Sequence, residues 1–448
     1  MKKRVAILAC ILFIINCCLF SVGADSTVSV NEYGQVEIFR NILDNFQVKG
    51  ANMKLQDVSY KEGQAVPEVL YPKEFGGHYY DEQGKLHVNV TVSSKNMLAS
   101  KDSAATAMAE IIRKNDIDTN LVKYAYSDLL EMQDTINADN SIWNLGVASF
   151  VIDVVKNKII INIKSECADY QDSIIALLQR LDIDLKAVDF ALTDDLPELL
   201  ESAQSKDSPN GTTSVPAPRA SSPVISLPGG EVYYKFGLFY LNKSYGSIGF
   251  NAVRNDNGQY GFVTNYHVIQ TDRVMYNGGD QEIGKYQKGS RGNNHDEAFV
   301  QFGYAVPTQI TGICCMSTPS CLDSKYSNAE ITAGLSVFRQ ARTTQVTTGT
   351  VLNANFNFSL DGYSYTAIEI SNNTQGGDSG SFIGTRFANS DASGVPGYKK
   401  VRLMGITFAK INSNSHGLCL KIDGVLNALN VSVVYGGNRT VTNYGSWS

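Results

Sequence analysis

The run Gly376-Gly377-Asp378-Ser379-Gly380 sets a hydroxyl in a glycine-bearing turn. A serine that attacks a carbonyl needs such a turn for two reasons. Its Oγ must be exposed, and nearby backbone N–H groups must converge on the oxyanion that forms. Gly377 and Ser379 are the candidate donors of those groups. Alone, the string also fits an ordinary polar turn, so the reading requires a base. Val263-Thr264-Asn265-Tyr266-His267-Val268 ends an apolar strand pattern on a histidine, which could project into a cleft and take the serine proton. The other four histidines are less well set: His78 and His87 lie far upstream, His295 in a polar loop and His416 in a late loop. A third component is His295-Asp296-Glu297-Ala298-Phe299-Val300. An aspartate at the start of a buried strand can accept the imidazole Nδ1–H, fixing the tautomer and stabilising the imidazolium. Glu297 competes for that role. The alternation of Ala298 and Val300 favours Asp296, which falls on the buried face. The order His, Asp, Ser is one of the known solutions, whereas α/β-hydrolases run Ser, acid, His.

The elements around these residues are predicted to be β-strands. Residues 224–448 are rich in Gly, Asn, Thr, Tyr and Val. Short alternating runs such as Gly261-Phe262-Val263-Thr264 and Ala298-Phe299-Val300-Gln301-Phe302 are separated by turn signals such as Asp256-Asn257-Gly258 and Asn277-Gly278-Gly279. This pattern predicts an antiparallel all-β sandwich or barrel, with one helical stretch at Asp423–Leu429. Residues 203–223 are rich in Ser, Pro and Ala and cannot bury enough apolar surface to offset their ordering entropy, so they read as a protease-accessible linker. Residues 25–202 mix helical and strand patterns. Residues 1–24 carry Lys2, Lys3 and Arg4, an apolar run from Val5 to Phe20 and small residues at Val22-Gly23-Ala24, the pattern of a secretory signal peptide. The expectation is a secreted protein with no stable membrane insertion.

With 448 residues, 43% hydrophobic and 18% charged, the chain can build several ordinary domains. A net charge of −6 without a basic stripe argues against a nucleic-acid partner. The histidines lack ligand-spaced partners, so neither a metal nor any other cofactor is expected. Of eight cysteines, Cys10, Cys17 and Cys18 leave with the signal. A bridge from Cys314 or Cys315 to Cys321 is one reading and free thiols the other, while Cys419 sits in an apolar context as a buried small hydrophobe.

Residues 225–435 resemble the trypsin-like (chymotrypsin-fold) serine peptidases, specifically the bacterial streptogrisin and α-lytic endopeptidase branch. The resemblance rests on Gly229-Gly230-Glu231-Val232-Tyr233, Ser247-Ile248-Gly249-Phe250-Asn251-Ala252, Val337-Phe338-Arg339-Gln340-Ala341-Arg342-Thr343-Thr344 and Asn427-Ala428-Leu429-Asn430-Val431-Ser432-Val433, beside the three chemical segments. It implies two six-stranded antiparallel β-barrels with the site between them. His267, Asp296 and Ser379 would be catalytic, Gly377 and Ser379 the oxyanion hole, and Arg339 would hold Asp378 to support the nucleophile turn. Phe75-Gly76-Gly77-His78-Tyr79-Tyr80-Asp81 and Gly84–Thr91, with a second strand–turn–strand at Phe150–Val154 and Asn157–Ile161, resemble that branch's α+β pro-region. The implied product is a secreted endopeptidase made as a zymogen. Its substrates would be proteins or peptides, and residues 25–202 its intramolecular chaperone and temporary inhibitor, removed by cleavage within 203–223.

The chain departs from that branch in places. Disulfide positions of the family appear as Ser247 with Val268, as Phe338 with Thr348, and as Gln375. Ser381 stands where glycine is usual. Phe408-Ala409-Lys410 replaces a Ser-Gly-Gly wall of the specificity pocket, and the bulk is expected to narrow it. Asn373 and Thr374 would line the base of the pocket. Lys410 at its rim, helped by His416, would favour an acidic or polar side chain, unless Lys410 reaches solvent and His416 is a loop residue. Two other readings fit. One is a binding protein that keeps the protease fold with little or no activity. The other is a stress-type trypsin-like protease, which would need a PDZ domain in the short stretch after Tyr435.

Overall fold

A computed structural model describes residues 30–444 apart from 52, 59–61, 64–66, 201–202, 207–223, 237–241, 270–273, 305, 311, 315, 317, 394–395 and 437–438. The expected signal peptide and most of the expected linker lie outside the described residues. The molecule is mostly β with few helices. Among the described residues, no helix is long and apolar enough to cross a membrane.

Residues 30–200 contain the same small unit twice. In the first, the hairpin Phe75–Tyr80 and Leu86–Val90 is followed by the helix Ser103–Lys114 and the strand Asp118–Leu121, which pairs parallel to the second hairpin strand. In the second, Val147–Asp153 and Lys158–Lys164 form the hairpin, Gln171–Arg180 the helix and Val188–Thr193 the parallel strand. The sequence carries the reasons. Asp102 caps Ser103–Lys114 by accepting from the Ala104 N–H at 2.8 Å, and Ala104, Ala105, Met108, Ala109 and Ile112 form its buried face. Lys158–Lys164 alternates strictly, with Ile159, Ile161 and Ile163 buried. The sequence signalled the two hairpins as copies; the helix and parallel strand extend the repeat.

The remainder builds two large sheets. One runs from Ala203–Lys206 through Asn242–Ser247, Glu231–Phe236, Val274–Asn277, Glu282–Gly292, His295–Phe302, Tyr260–Asn265 and Phe250–Arg254 to Val431–Val433. The other contains Ser336–Ala341, Phe382–Asp391, Lys399–Ile411, His416–Lys421, Tyr363–Asn373 and Gln345–Leu360, and Ser336–Ala341 also pairs with Gln345–Leu360. The helix Ile422–Leu429 matches the expected stretch to within one residue.

The N-terminal units are not set apart from these sheets. Val147–Asp153 continues the second sheet, pairing Ser149 with Phe358 and Phe150 with Asn357. Phe39, Phe46 and Phe75 share one buried cluster with Val337, Ile368, Ile383 and Met404. The Tyr80 N–H donates to the Ala333 carbonyl at 3.0 Å. Burial of this contiguous apolar area is what holds the halves together.

One expectation about cysteine is corrected. Cys321 is a free thiol, so a bridge to it from Cys314 or Cys315 does not form. Cys321 is buried within Ser320–Lys325, paired alongside Lys399–Ile411, and burial pushes its thiol up to about 11. Cys315 lies outside the described residues. Cys419 is fully buried, with burial raising its thiol to about 12. Positions 338 and 348 face each other directly across two strands, so ladder pairing joins them without a bridge.

Candidate active site

His267 sits on the single turn Tyr266–Val268 that follows the strand Tyr260–Asn265. Asp296 lies on the partner strand His295–Phe302, in register one residue beyond the Asn265–Glu297 pair. Its carboxylate is fully buried and holds the histidine at two points. Oδ1 accepts the His267 backbone N–H at 3.0 Å, and Oδ2 contacts the ring Nδ1. Asn265 Nδ2 donates to the Asp296 carbonyl at 2.9 Å, fixing the strand end. On the other side of the ring, Nε2 lies 2.8 Å from Ser379 Oγ. The three side chains, from separate segments, thus form one hydrogen-bonded line. Glu297, the local competitor, is turned away: its carboxylate binds His295 Nδ1 at 2.9 Å and Ser290 Oγ at 3.1 Å. Its acidity raises the His295 pKa.

The serine turn is held from beneath. Asp378 is fully buried and accepts five hydrogen bonds, from the N–H groups of Thr343, Thr344 and Gln375 at 3.0 Å, from Thr344 Oγ1 at 2.8 Å and from Arg339 Nη2 at 3.1 Å. Arg339, also fully buried, donates further to Thr374 Oγ1 at 2.7 Å, to the Asn373 carbonyl at 2.6 Å and to Thr344 Oγ1 at 2.8 Å. Burial lowers the pKa of Arg339, and the charge of Asp378 opposes that shift. A buried ion pair tolerates its desolvation only when such partners surround it. Gly377 adopts φ +91°, and Gly380 φ +85°, where a Cβ would lie 2.1 Å from Thr264 Oγ1. These two positions therefore require glycine. Ser381, by contrast, is accommodated in a fully buried position.

Sequence reasoning treated Ser247 only as half of a missing bridge. Its Oγ donates to the Gly377 carbonyl at 3.0 Å and accepts the Arg342 N–H at 3.0 Å, and its N–H donates to the Ser379 carbonyl at 2.8 Å. Ser247 thus braces the turn through hydrogen bonds.

The expected pocket residues divide. Asn373 and Thr374 are drawn into the Arg339 network, and Asn373 pairs in register with His416. His416 Nδ1 lies 3.1 Å from Glu369 Oε1, so its imidazole already has an acidic partner. Phe408 differs from expectation. Its ring packs against Phe358 and Tyr365, centroids 6.2 and 5.0 Å away, so its bulk fills the core. What Phe408 presents to the N-terminal region is its carbonyl.

That carbonyl accepts the Leu200 N–H at 3.3 Å. The short strand Pro197–Leu199 runs antiparallel to the end of Lys399–Ile411, aligning Leu199 with Ala409, Glu198 with Lys410 and Pro197 with Ile411. Leu196 and Asn412 exchange two more hydrogen bonds, at 3.0 and 3.1 Å. Lys410 Nζ meets Glu198 Oε1 at 3.0 Å. At the end of this segment Leu200 is completely buried, and its carbonyl oxygen lies 3.3 Å from Ser379 Oγ. No signal in the sequence marks it: a four-residue run without alternation acquires meaning only from the strand it pairs with.

No family model and no curated protein matches the chain. Among solved structures it is similar to Thermobifida fusca Protease A, with 18% identity and a TM-score of 0.35 over 48% of this chain and 100% of that one. It is similar also to Cellulomonas bogoriensis chymotrypsin, with 20% identity and a TM-score of 0.32 over 47% and 98%. Nocardiopsis protease matches with 21% identity and a TM-score of 0.34 over 47% and 99%.

Proposed function

We propose that the chain is a serine endopeptidase made as a secreted zymogen, with the two-barrel architecture and pro-region of the streptogrisin and α-lytic branch. The hydrogen-bonded line from Asp296 through His267 to Ser379 carries the reading. Ser379 Oγ attacks the carbonyl carbon of a bound peptide as His267 Nε2 takes its proton. Asp296 keeps the imidazole in the tautomer that leaves Nε2 free to accept, and stabilises the imidazolium. The N–H groups of Gly377 and Ser379 donate to the oxyanion, and the Arg339–Asp378 pair holds their turn in place. His267 then passes the proton to the leaving amine, and water releases the acyl group by the same route in reverse.

The zymogen part of the reading has its own support. Residues 197–199 pair with Ala409–Ile411 and the Leu200 N–H with the Phe408 carbonyl, as an extended peptide would, which supports a reading in which the N-terminal region closes the cleft to other peptides. A signal peptide at 1–24 and release of the pro-region 25–202 by cleavage within 203–223 would complete the scheme. A fluorophosphonate probe tests the activity. Labelling of Ser379 in processed protein, lost in Ser379→Ala, is the expected result. Processed protein that never labels would make this a protease-shaped binding protein.

A further inference from the structure

The segment in the cleft reports what the cleft accepts. Leu200 carries the carbonyl nearest the nucleophile, and its side chain has no exposed surface. The residue seated beside Ser379 with its side chain fully buried is therefore a large aliphatic one. The expectation that Lys410 and His416 would select an acidic side chain at that position does not fit this arrangement. His416 is engaged by Glu369, and Lys410 is engaged two residues further out.

Lys410 has a distinct role to play there. It aligns with Glu198 in the antiparallel ladder, and its ammonium lies 3.0 Å from the Glu198 carboxylate. Successive side chains along a strand point to opposite faces, so Glu198 and Leu200 share a face while Leu199 points to the other. Leu199 packs against the core cluster that contains Ala409 and Phe408.

We propose that this protease cuts after leucine in peptides that carry an acidic residue two positions upstream of it, that Lys410 is the residue selecting that acid, and that Leu200–Glu201 is the bond it cuts in its own chain. The inference rests on Ser379 being the nucleophile. In the self-cleavage, Ser379 Oγ bonds to the Leu200 carbonyl carbon, and its proton passes through His267 to the Glu201 nitrogen as the carbon–nitrogen bond breaks. Water then displaces Oγ, leaving a carboxylate on Leu200 and the original serine. The cut falls two residues ahead of the linker in which processing was expected, so any removal of 201–223 would be a later event.

Two measurements test this. Purified full-length chain is followed by mass spectrometry during processing, beside Ser379→Ala. The expected outcome is an N-terminal fragment ending at Leu200 that the variant never yields. In the second, processed enzyme is assayed on fluorogenic peptides ending Pro-Glu-Leu-Leu, Pro-Gln-Leu-Leu, Pro-Lys-Leu-Leu and Pro-Glu-Leu-Glu before the reporter amide. For a partly exposed pair, kcat/KM should fall about threefold from Glu to Gln and further to Lys. In Lys410→Glu the order should invert, and Lys410→Arg should restore it; loss of a merely structural lysine would lower all peptides alike. The Leu-to-Glu change at the last position should lower cleavage by two orders of magnitude or more, roughly the cost of burying an unpaired carboxylate. Enzyme that labels with fluorophosphonate yet prefers the last peptide, or keeps its order in Lys410→Glu, overturns the specificity and leaves the protease reading standing. Enzyme that does not label overturns both.

Discussion

Replacing Arg339 by methionine probes the base of the Ser379 turn. Methionine keeps much of the volume and removes the guanidinium. The arginine donates four hydrogen bonds, to Asp378, Thr344, Thr374 and Asn373, and all of its surface is buried. Three of the four acceptors are neutral and keep other partners or can rotate, so each loss costs about 1 kcal/mol. Asp378 keeps four donors but loses its countercharge, and a buried charge stripped of its partner costs about 3–5 kcal/mol. The retained donors favour the low end, so the sum is about 6 kcal/mol. Urea unfolding in a Ser379→Ala background, which prevents self-cleavage, measures it through the midpoint at constant slope. Restoring neutrality in Arg339→Met/Asp378→Asn should recover part of the loss, because the worst state is the lone charge. Activity on a small ester should fall about 100-fold in the single variant, the usual consequence of misplacing reacting groups by about 1 Å. An Arg339→Met protein within 1 kcal/mol of the parent in stability and turning over the ester at the parental rate would refute the claim that this pair holds the turn.

Two further perturbations separate chemistry from assembly. Asp296→Asn should leave the fold intact but lower kcat about 10⁴-fold, because an amide at Oδ2 favours the wrong imidazole tautomer; a loss under tenfold would remove Asp296 from the line. His78 is buried against Phe39, ring centroids 3.4 Å apart, with Nε2 unpartnered, and burial lowers its pKa to about 3. The folded state then binds fewer protons than the unfolded one between pH 6.5 and 3, so the contribution of neutral His78 is full above 6.5 and is lost as the pH falls through that window. Thermal melts should show His78→Phe gaining about 2–4 kcal/mol on the parent across this range, and parallel melting curves would contradict the burial argument.

The candidate catalytic residues were legible because the chemistry proposed for them constrains residue type and spacing tightly. A glycine-bearing serine turn, a histidine closing an apolar strand and an acid opening another are each ambiguous alone but legible together, and the structure brings all three within hydrogen-bonding reach. Arg339 was legible only through family resemblance, since nothing in Val337-Phe338-Arg339-Gln340-Ala341 distinguishes a buried cation from a surface one. The strand content of 224–448 and the helix near Asp423 followed from period and composition. The supporting hydroxyl of Ser247 and the inward ring of Phe408 did not, because both depend on partners more than forty residues away. Of the two readings for Cys321, the free thiol holds and the bridge fails, for a similar reason. Proximity in sequence to Cys314 and Cys315 says nothing about which face of its strand a side chain occupies.

The cleft segment shows where sequence reading stops. Pro197–Leu200 precedes a linker and carries neither periodicity nor a motif. Its significance arises from alignment with Ala409, Lys410 and Ile411, more than two hundred residues later. The same alignment accounts for the substituted wall. Glycines in that wall would leave the peptide backbone to supply most of the recognition. Ala409 and Lys410 still offer the backbone for pairing, and the lysine adds a charge that reads one side chain of the bound strand. Under the proposed specificity, this wall and a tail bearing Glu198 and Leu200 are two halves of one recognition. Substitutions at Lys410 and Glu198 should therefore compensate each other: reversing either charge slows self-processing, and reversing both restores it.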